Sequence, residues 1–500
     1  MNTVSARTRL GLEILAGALL LGVTGDALLR AMPWGLNALL CAVAFVSLGA
    51  WLVRHNAITV TRDAFWLAAG ALIIASNFVA RASVTLHAFD VAGLGVVLAV
   101  AGLSLRGVAL QGRQAWQYVR AGIEAAVTAC VGVFALVGVD VTWTELPRGG
   151  RFAQARSAAL GGAVAFPLLV VFGSLFASAD AVFRDLVVNL FAVDFGALLS
   201  HTLLIGFFAV LAAGYFWGTL LRARPRAAIP ERRSMSVALV PVATALGLVD
   251  FLFLVFVVVQ IRYLFGGAGL VASATGLTYA EYARKGFFEL VTASALVLPL
   301  LAGSDWLVRN ESREHQRTFR QLALLLLLLL AAVMASALER MRLYVGAFGL
   351  SEIRLYSTAF MLYVAAVSAW FAWTTLRGQR RRFAFGALVQ GFAVLAGLHL
   401  VNPDALIVRT NLARAPSEHP FDGWYAASLS ADAVPVLLDA FPRLDARARC
   451  AVAAGLLAQR QRLSRDDWRT WNLARFRARR LLHDQADRLH AGLCPSPPRS

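Results

Sequence analysis

The feature that most constrains this chain is a series of about twelve uninterrupted apolar blocks, each roughly 16 to 28 residues long. At 1.5 Å per residue, a helix of that length crosses a hydrocarbon core of about 30 Å. Within a bilayer only helices and closed barrels satisfy their own backbone. Runs of Leu, Ala, Val and Phe without period-two alternation indicate helices rather than barrel strands. Composition agrees: 59% of residues are hydrophobic, 15% are charged and the mean hydropathy is +0.66, whereas a soluble domain carries about 25% charged residues. The expected fold is all-α, a polytopic transmembrane helical bundle of twelve or thirteen spans followed by a small C-terminal soluble helical domain.

The spans are expected at 10–29, 34–53, 65–80, 86–105, 121–139, 158–178, 196–221, 235–263, 280–303, 321–338, 355–376 and 383–401. Arg7 and Arg9 before the first block suggest a leader, but Glu13 and Asp26 interrupt it and no small-residue cleavage site follows, so it reads as a retained span. Net charge is +18, carried by 46 arginines and the single lysine, Lys285. In a membrane protein such charge first reflects cytoplasmic loops and anionic headgroups rather than nucleic acid.

Arginines crowd three loops: 222–233, 309–320 and 377–382. The positive-inside rule makes these cytoplasmic, which leaves the 262–280 loop, the 340–354 loop and everything after residue 401 extracytoplasmic. Counting from a cytoplasmic N-terminus gives the wrong side for the 222–233 loop. Either the N-terminus is outside or there is a thirteenth crossing. The stretch 180–195 is the candidate, though its short amphipathic pattern fits an interfacial or re-entrant helix better.

Two units follow: a multi-pass membrane domain over 1–401 and a helical extracytoplasmic domain over 402–500. Asn402, Pro403 and Asp404 place a cap residue, a first-turn proline and an acid at the positive end of a helix. Further helices are expected near 403–413, 432–440, 445–462 and 465–490. The basic run Arg475–Arg480 reads as a solvated face before a membrane-surface contact, with nucleic acid last. Cys41 and Cys130 lie in apolar blocks, and Cys450 and Cys494 can pair if the tail is in an oxidising compartment.

Asp250 is the most informative intramembrane residue, because a carboxyl near the middle of a span costs several kcal/mol unless paired or protonated. It serves either proton or ion handling or a buried helix contact. Glu13, Glu124, His87 with Asp90, and His201 lie in or beside apolar blocks and read individually as structural. A second group gathers at the extracytoplasmic mouth: Arg262, Tyr263, Tyr282, Arg284, Lys285 and Glu289, joined by Arg342, Tyr344 and Arg354. Thr278 with Glu281 forms a capping box, and Lys285 is spaced four residues from Glu281 and from Glu289. Cations with tyrosine hydroxyls suit a phosphate or carboxylate, and Glu289 is the candidate acid or base. The alternative is ordinary headgroup anchoring. No phosphate-binding loop, zinc-protease motif, nucleophile elbow or Cys/His metal spacing occurs, so no catalytic residue, metal or cofactor is assigned.

The run Gly276–Leu290 resembles the signature of a bacterial multi-pass membrane family known only as a domain of unknown function, of the 4153/4173 type. Arg342-Leu343-Tyr344 with Gly349-Leu350, Asn402-Pro403-Asp404 with Asn411, and Leu429–Pro435 are similar to its other recurrent stretches. Thr410 stands where an aromatic is expected. The resemblance covers roughly residues 160 to 480 and implies a bacterial inner-membrane location with Asn402, Asp404 and Asn411 as tail contacts. It brings no activity. Three classes stay open: a transport or permease-like protein, a membrane enzyme on a lipid-linked or anionic substrate, and a scaffold whose tail binds a protein partner. The reading leans away from an enzyme. The partners expected are the lipid bilayer and anionic lipid headgroups.

Overall fold

The computed structural model describes residues 4–145, 150–184, 194–222, 239–265, 287–308, 312–414, 420–464 and 467–494. The membrane part contains α1 Ala6–Leu29, α2 Leu36–His55, α3 Arg62–Ala80, α4 Val84–Leu105, α5 Ala115–Ala135, α6 Gly150–Ala179, α7 Phe195–Phe216, α8 Leu239–Phe265, α9 Phe287–Val308, α10 Arg313–Phe348, α11 Glu352–Thr374 and α12 Arg380–Val401. Among the described residues, eleven helices are long and apolar enough to cross a membrane, and the Val164–Ala179 part of α6 is a shorter apolar helix. The chain is an all-α multi-pass membrane protein.

Local chemistry fixes the helix starts. Ser5 accepts from the Thr8 amide, Asp194 from Gly196 and Ala197, and Ser312 from His315. α5 and α7 each end in a π-turn, at Leu136–Asp140 and Trp217–Leu221, and the two turns meet where Trp217 Nε1 donates to Asp140 Oδ2 at 2.5 Å. Arg317 and Arg320, expected in a loop, lie in the opening turns of the 36-residue α10.

The membrane helices form two groups. α1, α2, α5 and α7 share one apolar core around Ile14, Leu52, Leu136 and Phe216. α8 to α11 share another around Leu246, Leu301, Leu326 and Phe371. α4 and α12 meet between them, where Gly93 faces Leu395 and Phe392 packs beside Ile74 and Val97.

The C-terminal helices are α13 Pro403–Arg414, α14 Gly423–Ser428, α15 Val434–Ala440, α16 Ala446–Leu463, α17 Leu473–Asp484 and α18 Ala486–Ala491. They enclose their own core around Ile407, Val434, Val452, Leu456 and Leu482. One helix was expected over 465–490. Instead Asn472 caps α17 by accepting from the Arg475 amide, and the backbone breaks at Gln485 before α18. α14, capped by Asp422, carries too little apolar periodicity to be seen in the sequence. Cys450 and Cys494 are disulfide-bonded, with Cα atoms 5.3 Å apart.

This C-terminal unit docks on one end of the bundle, which we call the roofed end. The Leu36 amide at the start of α2 donates to the Trp471 carbonyl at 2.9 Å. A Cβ on Gly35 would collide with that same backbone, so the approach requires glycine. Arg469 Nη1 reaches the Ala27 carbonyl near the end of α1 at 2.6 Å.

Candidate functional site

The polar groups that composition scatters along the spans converge at the roofed end. Arg81 is extended and terminates α3, and Ser83 precedes α4, so a three-residue link turns the chain back. Asn402 adopts φ +55° and turns α12 into α13, with its Oδ1 accepting from the Ala405 amide at 3.3 Å. These two links set His399 of α12 against Asp90 of α4, Nε2 to Oδ1 at 3.0 Å. Asn77 Nδ2 donates to the same oxygen at 3.0 Å. Asp90 is fully buried.

The C-terminal unit closes over this pair. Asp432 Oδ2 accepts from the Ala82 amide at 2.6 Å, and its Oδ1 lies 3.4 Å from Arg81 Nη1. Arg81 also donates to the His399 carbonyl, from Nε at 3.0 Å and Nη2 at 2.5 Å. Asn472 Nδ2 donates to the carbonyls of Phe78, at 2.6 Å, and Arg81. A partly buried ion pair thus ties the roof to the link after α3, and a buried His–Asp pair ties α4 to α12 at the seam between the two groups.

A second joint involves the loop between α10 and α11. Asn411 Oδ1 accepts from the Leu350 amide at 2.7 Å and its Nδ2 donates to the Leu350 carbonyl at 2.9 Å, as an adjacent strand would. The Glu352 amide donates to Tyr425 Oη at 2.9 Å, and Thr85 Oγ1 to Glu352 Oε1 at 3.1 Å. Asp404 is 1% exposed and accepts from the Ser430 amide at 3.2 Å. Of the three residues expected as tail contacts, Asn411 lies in this joint, Asp404 braces the Ser430 backbone and Asn402 turns α12 into α13; each accepts from a backbone amide.

Burial pushes the Asp404 carboxyl up to about 6; the Ser430 hydrogen bond opposes this, and the nearby Glu352 and Asp432 charges add to it. The folded protein then holds a proton that the unfolded chain has released between pH about 4 and about 6. The stability contribution is full below pH about 4 and is lost as pH rises through about 6, an effect on the order of 3 kcal/mol. The unfolding midpoint of detergent-solubilised protein should fall over that window, and Asp404→Asn should flatten the fall.

Of the mouth residues, Arg354 and Tyr344 are brought together. Tyr282, Arg284, Lys285 and the Thr278–Glu281 capping box lie outside the described residues. Arg262 and Tyr263 fall in the last turns of α8. Glu289 is exposed in the first turn of α9. Arg342 is exposed and pairs with Glu339 of its own helix at 2.9 Å. Arg354 stacks 4.0 Å over the Tyr344 ring and donates to the Phe348 carbonyl at 3.1 Å and to that of Gly349, closing the C-terminus of α10.

Asp250 stands apart in the middle of α8. It is 4% exposed, on the face that carries Leu246 into the second apolar core, and neither carboxyl oxygen has a hydrogen-bond partner among the described residues. The intramembrane acids Asp26, Glu13 and Glu124 are all partnered, by Arg30 and His201, by Asn56, and by Arg106 and Arg120. Among the described residues no three His, Cys, Asp or Glu side chains gather as a metal site would need.

Arg81, Asp90, Asp432, His399 and Asn472 were not singled out together, since they are spread over nearly 400 residues. The one available signal was Asp432 inside the recurrent Leu429–Pro435 stretch, with His87 and Asp90 in a single apolar block. In comparison with known proteins, a family described as "Domain of unknown function (DUF4153)" matches over residues 67–440, from α3 to the end of α15. No curated relative and no solved structure matches the chain.

Proposed function

The chain belongs to this DUF4153 family, and from that premise we propose that it is a transport or permease-like protein in which Asp250 takes up and releases a proton or small cation. The observation that carries this is the contrast just described. A buried carboxyl with no partner in mid-span is destabilising by several kcal/mol when charged, and such residues face ion or proton pathways far more often than lipid. Two groups of spans meeting along α4 and α12 give a seam at which one group can rock against the other. The Arg284 and Lys285 cluster remains in the proposal as an anion-attracting mouth.

The orientation we propose is an inner (plasma) membrane of a bacterium, with the roof extracytoplasmic. Arg313, Arg317 and Arg320 and the arginines of 377–382 lie at the ends of α10 and α12 opposite the roof, where Arg380 pairs with Asp305 at 2.8 Å. The Cys450–Cys494 disulfide on the roof suits an oxidising compartment.

Purified protein reconstituted in vesicles with a trapped pH-sensitive dye tests the role of Asp250. Wild-type protein should dissipate an imposed proton or sodium gradient, and Asp250→Asn should slow this at least tenfold at equal protein incorporation. Equal rates in the two proteins would remove Asp250 from any coupling role.

A further inference from the structure

We infer that α5 does not cross the membrane but lies in the plane of one leaflet, across the far ends of α4, α7 and α1, with an outward apolar stripe against acyl chains and its arginines against phosphate headgroups. Its 21 helical residues and the π-turn that follows are long enough to span, yet every neighbour along it belongs to the same end of the bundle. Tyr118 Oη donates to the Leu110 carbonyl at 2.6 Å, in the link after α4. Gly122 faces Ala99, which lies about 9 Å from the end of α4. Thr128 and Gly132 meet Gly214, Trp217 and Gly218, within about 10 Å of the end of α7. Leu136 and Val141 meet Gly11, about 8 Å from the start of α1, and Asp140 pairs with Arg7. The Ser5 amide then donates to Glu145 at 2.8 Å. A span over 115–140 would carry its two ends roughly 39 Å apart in depth. Here both ends sit at the level of the α1 start and the α4 end.

Parity supports the same course. α1 runs from Ser5 at the far end to Ala27 under the roof. The chain is still at the far end at Glu145, and it is back at the roofed end by His201, whose Nδ1 lies 2.5 Å from Asp26 Oδ2. One crossing separates Glu145 from His201, and the 30-residue α6 supplies it. The chain then reaches Arg222, after the π-turn of α7, at the far end without a thirteenth span, which removes the conflict met in the sequence.

The two faces of α5 differ as an in-plane helix requires. Ala121, Ala125, Thr128, Ala129 and Gly132 turn toward the bundle. Trp116, Val119, Ile123, Val127, Val131 and Phe134 are exposed, from 45% for Trp116 to 74% for Phe134, at the three- and four-residue spacing of one stripe. Arg113 and Arg120 mark the end toward the headgroups, with Arg120 Nε donating to Glu124 at 2.6 Å. That the leaflet is the cytoplasmic one rests on the orientation proposed above; the lateral course of α5 does not.

The test uses full-length protein with Cys41→Ser and Cys130→Ser, in vesicles of known sidedness, probed with a membrane-impermeant maleimide. Gln111→Cys and Thr144→Cys should label from one face, and Gln461→Cys on the roof from the other. Labelling of Gln111→Cys and Thr144→Cys from opposite faces overturns the lateral course. Labelling of that pair on the face of a right-side-out vesicle keeps the course and overturns the orientation alone. Nitroxides at Val119, Val127 and Phe134 in phosphatidylglycerol-containing vesicles should report one depth by collision with oxygen and a nickel chelate. A spanning helix would separate Val119 from Phe134 by about 22 Å. Spin–spin broadening between copies at Val127 and Phe134 would show the stripe covered by a second chain and overturn the lipid contact.

Discussion

Gly214→Ala is expected to lower the thermal stability of the detergent-solubilised protein sharply, by about 3 kcal/mol or more at the transition. The added methyl would fall inside contact distance of the Thr128 and Ala129 carbonyl oxygens. Those atoms are helical backbone and cannot rotate away, so the crossing of α5 over α7 has to open. Overpacking of a closed contact costs about 1–3 kcal/mol when side chains can adjust, and here they cannot. Alanine improves helix propensity by about 1 kcal/mol, so the sign of the effect distinguishes packing from propensity. Gly206→Ala, eight residues earlier on the same helix with nothing within 4 Å of the new methyl, should be neutral or slightly stabilising. Equal midpoints for the two variants would mean that α5 does not lie on α7 as described.

Asp432→Ala should release the roof. The substitution removes the acceptor of the Ala82 amide and leaves Arg81 without its carboxylate. Leaving the Ala82 amide without its acceptor costs about 1–3 kcal/mol, concentrated at a joint whose separation does not require the spans to unfold. The expected result is at least a tenfold faster release of a C-terminal fragment under limited proteolysis, with membrane insertion unchanged. Asp432→Asn retains an oxygen for Ala82 and should fall between. An unaltered cleavage rate for the alanine variant would show that the Asn411–Leu350 and Asn472 bonds hold the roof by themselves.

The sequence exposed the elements more fully than their meeting places. Hydropathy located α1 to α12 because lipid solvation is a local requirement on each block. Asn402 and Asp404 were legible because a turn needs a cap and the spacing shows it, whereas Asn411 was named only through the family resemblance. α5 has the length and hydropathy of a span, and the lateral course proposed for it has no signature in the sequence: an in-plane helix buried in a leaflet and a span are solvated by the same hydrocarbon, and only neighbours tell them apart. The His399–Asp90 and Arg81–Asp432 pairs were hidden by sequence distance, not by chemistry. Asp250 stood out in the sequence and stands out again in the structure, because its isolation is a property of the block around it. Arg354, read as an anion ligand, shows how a helix C-terminus and an aromatic ring can also engage an arginine.

The joints at the roofed end also impose an order on biogenesis. The first amide of α2 and two carbonyls closing α3 find their partners in Trp471 and Asn472. Asn472 is 394 residues downstream of Phe78 in synthesis. During translation these backbone ends are therefore made long before their partners, and stay open until the C-terminal helices have been synthesised and folded. The bundle is completed only at that point, so a folding defect confined to the tail would leave an inserted but unfinished membrane domain.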